Sequence, residues 1–258
     1  MGTPIAALSR AELELRYRRT RLVSVVVGIL LVVAAVMIGV MWQGGAGVGS
    51  TAAGANGSNS GTADAAEGAA NCPVKDRRDP DDFMAIGDID APVVMHEWTD
   101  FRCPWCGKYT RETMPELIKE YVDTGKVRIE IHDAALVGGE ESVKIAGAAR
   151  AAGVQGKYFE FLDGVYEHQG ATDNAALSDA DLTALAKAAG VADLDAFDQA
   201  VAEGTHEDAV RESTAESQQL GVSGVPFFAL SDCASPLSGA QTIETFRAAI
   251  DAKLEETK

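Results

Sequence analysis

Two cysteines with two residues between them, Cys103-Pro104-Trp105-Cys106, stand where an apolar run passes into a helical pattern. At that spacing the two sulfurs can close a disulfide within one helical turn, so the pair can exchange two electrons with other thiols. The first turn of a helix carries unsatisfied backbone N–H groups and the positive end of the macrodipole, which together stabilise a thiolate on the first sulfur. Pro104 suits the first helical position, because the N–H it lacks would have had no partner there. The N–H groups of Trp105 and Cys106 are then free to point at the Cys103 sulfur.

The elements around the pair fit that chemistry. Residues 92–98 read as a strand, 99–102 as a turn, and 107–121 as a helix continuing to about Asp123, with Gly125 ending it. Residues 126–131 alternate as a second strand. A strand–helix–strand unit of this kind has parallel strands and a right-handed crossover. Residues 81–88 suggest a short leading strand. From 140 to 220 the period becomes helical, with predicted helices at 140–152, 157–167, 195–202 and 206–220. Another is expected after Ser178 and Asp181, a cap and its third-position acid, ending at Gly190. Strand signals return at 225–230 and near 239–241, and Thr242 caps a last helix carrying Ile243, Phe246, Ile250 and Leu254. The class is α/β, with a helical insertion at about 134–221. Tyr158, Phe159, Phe161 and Tyr166 read as core.

Residues 22–42 carry no charge and, at ~1.5 Å per residue, reach about 30 Å, the thickness of a bilayer core. Arg16, Arg18, Arg19 and Arg21 precede them, and 43–70 contains no Lys or Arg. The positive-inside rule therefore puts 1–21 in the cytoplasm, a single transmembrane helix at 22–42, and everything after it outside. A cleaved signal peptide is the alternative, but its apolar stretch would be shorter. Residues 43–71, rich in Gly, Ala, Ser, Thr and Asn, form a tether, and 72–258 is one folded domain. The net charge is −17; five Arg and two Glu up to Arg21 leave −20 for the remainder. An exterior that acidic excludes nucleic acid as a partner.

The chain resembles the thioredoxin superfamily and, within it, the DsbA-like branch of extracytoplasmic thiol–disulfide oxidoreductases. The resemblance spans 79–258. It rests on Cys103-Pro104-Trp105-Cys106, on Glu97 six residues earlier, on Gly224-Val225-Pro226-Phe227-Phe228, and on helices inserted between the βαβ unit and that loop. It implies Cys103 as the exposed sulfur, Cys106 as its buried partner, and Glu97 as a buried acid that shuttles the Cys106 proton. It also implies a cis Pro226 beside Cys103, with the Val225 backbone offered to an extended substrate. The implied activity is disulfide donation to unfolded or reduced exported proteins by a membrane-anchored monomer. Reoxidation would fall to a quinone-linked membrane protein, either DsbB-type or vitamin-K-epoxide-reductase-like. A reductase, an isomerase, a thiol reductant of cytochrome c maturation and a non-enzymatic anchored binding module remain open.

No cofactor and no metal are expected. Zinc needs a second cysteine pair or a histidine pair, and His96, His132, His168 and His206 are scattered in sequence. Covalent haem needs His after the second cysteine, where Gly107 stands. The remaining cysteines, Cys72 and Cys233, are candidates for a structural disulfide because an exported domain favours paired thiols. The alternative is two cysteines too far apart to pair.

Overall fold

The computed structural model describes residues 74–231 and 236–257. The expected anchor at 22–42, the tether at 43–71 and both Cys72 and Cys233 lie outside the described residues. Among the described residues, no helix is long and apolar enough to cross a membrane.

The elements follow the expected order: β1 Ala85–Ile86, β2 Val93–Thr99, α1 Pro104–Glu112, α2 Met114–Leu117 with a π-helical turn Ile118–Val122, and β3 Val127–Asp133. The inserted helices are α3 Glu140–Gly153, α4 Tyr158–Ala171, α5 Asp179–Ala189, α6 Leu194–Ala202 and α7 Glu207–Gln219. β4 Phe227–Leu230, β5 Leu237–Ser238 and α8 Ile243–Glu256 complete the domain. The sheet order is β1-β3-β2-β4-β5. β2 and β3 are parallel, as a βαβ unit requires, and the other pairs are antiparallel.

β2 is central, and all seven of its residues are buried. Side chains alternate across a strand, so the two faces of the sheet differ in what they carry. One face presents Val93, Met95 and Glu97 beside Ile129, Ile131 and Phe228, against the main apolar core and the cysteines. The other presents His96 and Trp98 beside Arg128, Glu130 and His132. Trp98 there packs with Val222 and Ala229.

Three expected elements shift, each for a local reason. The helix after the cysteines breaks at Thr113, because Pro115 has no N–H to continue the hydrogen-bond ladder; it opens α2 instead. The leading strand shrinks to two residues, because Asp79 and Asp82 accept backbone N–H groups and hold 79–85 in turns. The last short strand lies at Leu237–Ser238 rather than near 239–241. Gly239, at φ +80°, turns the chain and donates its N–H to Pro226 O at 2.8 Å. The cap at Ser178 forms as expected: its hydroxyl and the Asp181 carboxylate each accept the other residue's N–H, and Gly190 ends α5 at φ +84°.

Candidate active site

Cys103 is the N-cap of α1, in an extended conformation, and Pro104 occupies the first turn. Both cysteines are thiols. Cys106 is fully buried, as expected. Cys103 corrects the expectation of an exposed sulfur: it is only 3% exposed, because the chain at Val225 lies over it. Its thiol donates to Val225 O at 3.3 Å, and the Val225–Pro226 peptide is cis, so the loop at Pro226 does reach the cysteines. Trp105, 60% exposed, stands on the solvent side of the pair.

The two sulfurs are driven apart electrically. The Cys106 thiol donates to the Cys103 sulfur and is the largest influence lowering it. Burial opposes this, and the backbone N–H groups of Cys106 and Trp105 add to it, leaving Cys103 at about 7. Burial first, and then the neighbouring Cys103 sulfur, push Cys106 well above an ordinary thiol. At neutral pH one sulfur is readily a thiolate and the other holds its proton.

Glu97 lies in the middle of β2, 1% exposed, and burial pushes its carboxyl up to about 8. Its Oε2 has no hydrogen-bond partner among the described residues. The sequence thus predicted Cys103, Cys106, Glu97, Pro104, Trp105, Val225 and Pro226 as neighbours, and the fold does bring Val225-Pro226 across more than a hundred residues to Cys103.

Sequence reasoning missed the residues that clamp this turn. The Asp100 carboxylate accepts from the N–H groups of Arg102 and Val137, both at 2.7 Å, and from Ser142 Oγ at 2.5 Å. Gln169 Nε2 donates to Phe101 O at 3.0 Å, and Asn174 Nδ2 donates to Arg102 O at 3.1 Å. The Arg102 guanidinium donates back to Asn174 O and Ala175 O, each at 2.8 Å. α4 approaches so closely that a Cβ at Gly107 would sit 2.1 Å from Gln169 Oε1. A side chain after the second cysteine would therefore have to push the ends of Gln169 and Arg111 aside. No spacing in the sequence announces these pairs; they span up to 73 residues.

The opposite face corrects a second expectation. His96 and His132 are not scattered: Nδ1 of the first is 3.1 Å from Nε2 of the second. Arg77 reaches His132 Nδ1 at 3.4 Å, and His96 Nε2 lies 3.3 Å from Asp76 Oδ1. Arginine can only donate, so the chain of bonds runs from Arg77 through both neutral rings to the Asp76 carboxylate. Burial lowers both histidines, which keeps them neutral. Among the described residues no cluster of three or more His, Cys, Asp or Glu side chains is arranged to hold a metal ion.

Comparison with known proteins places this geometry. The family model described as Thioredoxin matches residues 80–252. A probable disulfide bond formation protein D from Bacillus anthracis is 30% identical over 104 residues, covering 37% of this chain and 48% of that protein. The Na(+)/H(+) antiporter NhaA 1 of Salinispora arenicola is 30% identical over 185 residues, covering 70% of this chain and 26% of that protein. The chain thus spans about half the length of the first relative and about a quarter of the second. Oxidised BdbD from Bacillus subtilis shares the fold, with a TM-score of 0.62 at 20% identity over 67% of this chain and 92% of that one.

Proposed function

The chain belongs to the thioredoxin family, and from that premise we propose that it is a thiol–disulfide oxidoreductase donating disulfides to exported proteins through Cys103 and Cys106. The observation that carries this reading is the opposite pull on the two sulfurs, with Cys103 lowered to about 7 and Cys106 raised. A substrate thiolate attacks Cys103 of the oxidised pair and forms a mixed disulfide. Cys106 departs as a thiolate and takes a proton from Glu97, which is neutral at pH 7. A second substrate thiolate then attacks the substrate sulfur of the mixed disulfide, and Cys103 leaves. Two electrons pass from the substrate thiols to the enzyme. Cys103 is the better leaving group because N–H groups and the Cys106 thiol stabilise its thiolate, which also makes the enzyme disulfide more oxidising. Val225 and Pro226 would present backbone to an extended substrate beside the sulfur, and Trp105 an apolar surface.

In this reading residues 22–42 anchor the protein as a single pass in the cell membrane, with the N-terminus cytoplasmic and the domain outside. Its partners are reduced exported proteins and a quinone-linked membrane thiol oxidase, DsbB-type or vitamin-K-epoxide-reductase-like, and it works as a monomer. The supports are the uncharged stretch, the asymmetry of arginine around it, and the match to a disulfide bond formation protein. The test is a Cys106→Ala variant expressed in cells. Mixed disulfides should accumulate through Cys103, and their absence would end the assignment. The reduction potential of the purified protein then fixes direction: a value near that of thioredoxin, about −270 mV, would make it a reductase instead.

A further inference from the structure

Glu97 must exchange its proton with something, and the face of the sheet on which it sits carries other buried polar atoms that make no hydrogen bond among the described residues. They include Tyr158 OH and Asp133 Oδ1. Glu97 and Asp133 share that face. Glu97 stands opposite Ile131 in the β2–β3 ladder and Asp133 stands two residues further, opposite Thr99, so the two carboxylates are diagonal neighbours. Each is 1% exposed, as is Tyr158. The Tyr158 phenol lies within electrostatic reach of both carboxyl groups, Asp133 more strongly than Glu97. The other oxygen of Asp133 is tied to Arg150 Nε at 2.6 Å. Arg150 in turn lines two clefts on the domain surface, of about 670 and 460 Å³. The groups thus run from the middle of β2 to the end of β3 and, through Arg150, to clefts on the domain surface.

Resting on the assignment of Glu97 as the acid that serves Cys106, we propose that Tyr158 and Asp133 are positioning residues of a proton path joining Glu97 to the cleft lined by Arg150, with water bridging the gaps between them. Buried polar atoms in folded proteins pair with protein groups or with ordered water, and Glu97 Oε2, Tyr158 OH and Asp133 Oδ1 have no protein partner among the described residues, which leaves water to bridge them. The phenol passes a proton without ionising: its oxygen accepts from the Asp133 side as its hydrogen is given to the Glu97 side. Burial holds Tyr158 far above its ordinary range, so it acts only in this neutral relay. Asp133 is the solvent end of the path. Burial raises its carboxyl and Arg150 pulls it part of the way back, so Asp133 can take a proton from water in the cleft and hand it on. After Glu97 has given its proton to Cys106, one proton leaves water in the cleft and one arrives at Glu97, and no oxidant or reductant is consumed. Such a path lets Glu97 reset between turnovers while α4 and the loop at Val225 keep solvent away from Cys106.

The test is infrared spectroscopy of the full chain at pH 7. Glu97 should give a protonated-carboxyl C=O band, identified by its disappearance in Glu97→Gln. On mixing into D2O, the time taken by that band to shift reports how fast the Glu97 proton reaches solvent. Tyr158→Phe and Asp133→Asn, each close in shape to the original, should slow the shift by about a hundredfold or more, the lower end of what a positioned proton-transfer group contributes. A side chain that only held structure would leave the exchange unchanged or speed it by loosening the core. If either variant fails to fold, the other still decides the matter. Exchange at the wild-type rate in the folded variants would overturn the path while leaving Glu97 as the acid. A Glu97→Gln spectrum with the band intact would overturn both.

Discussion

Two glutamates lie at neighbouring positions on adjacent strands of this sheet, facing opposite ways. Both are buried, and they are opposites in charge. Glu130, on β3, receives the N–H groups of Arg77 and Arg78 at 2.8 and 3.0 Å and the Arg128 guanidinium at 3.1 Å. Burial would raise its carboxyl, but these donors outweigh burial and lower it. Glu97, on β2, has an Oε2 with no donor among the described residues; burial alone raises its carboxyl, and it stays neutral to about pH 8. Burial alone therefore does not make a proton carrier. What separates a structural carboxylate from a functional one here is the supply of hydrogen-bond donors to its charged form.

The sharpest way to break that comparison is to make the same substitution at both sites. Glu130→Gln should destabilise the domain by about 3–5 kcal/mol, because it leaves the buried Arg128 charge without its partner. Urea denaturation at pH 7 measures this, and a loss under about 1 kcal/mol would mean the arginines repack freely.

Glu97→Gln should act in the opposite direction, and its effect should depend on pH. A carboxyl raised to about 8 in the fold keeps a proton that the unfolded chain releases above about 4.5. Stability contributed by Glu97 therefore falls as pH rises between those values, by roughly 1.4 kcal/mol per pH unit. Glutamine has no such loss, so Glu97→Gln should match the wild type near pH 5 and exceed it by a few kcal/mol at pH 8. Glu130, being lowered, has the reverse sign: its contribution is present above the unfolded value and lost as pH falls through the folded one. Denaturant midpoints at pH 5 and 8 for both variants test the crossing.

A smaller effect is expected at the cysteines, where the donor is a thiol. Cys106→Ala removes the hydrogen bond that most lowers Cys103, so the Cys103 titration should rise from about 7 toward the ~8.5 of a free thiol. Thiolate absorbance against pH reads this directly. An unchanged midpoint would assign the lowering to the helix N–H groups alone.

The smallest effect belongs to the part-exposed end of the Glu130 network. Arg77→Gln removes the side-chain bonds to Asp82, Ile131 O and His132 Nδ1 but leaves its backbone N–H on Glu130. It should cost only about 1 kcal/mol in the same denaturation assay. A cost as large as that of Glu130→Gln would move the weight of the network from Arg128 to Arg77.

Much of this architecture was legible in the residues. The alternation of 126–131, the cap formed by Ser178 and Asp181, Gly190 and the cysteine spacing are local signals with local causes, and they produced β3, α5 and the start of α1 where expected. The break at Thr113 was also legible, since Pro115 stands in plain view within the expected helix. The clamp on the active-site turn was not. Asp100, Gln169 and Asn174 are ordinary polar residues in sequence, and their partners lie on other elements. The contact between His96 and His132 depends on the register of two parallel strands joined by a crossover, which spacing along the chain does not encode.

By itself the sequence determined the chemistry available: two thiols at a helix start, a proline at its first position, an acid one strand earlier, and an uncharged stretch near the N-terminus. These follow from side-chain identity and from interactions within a few residues. The tertiary structure decided which way each group leans. It laid Val225 over Cys103, buried Cys106, and gave Glu130 three donors while leaving Glu97 Oε2 without one among the described residues. Desolvation and hydrogen bonding are set by whatever packs around a group, and here that packing comes from segments far apart in the chain.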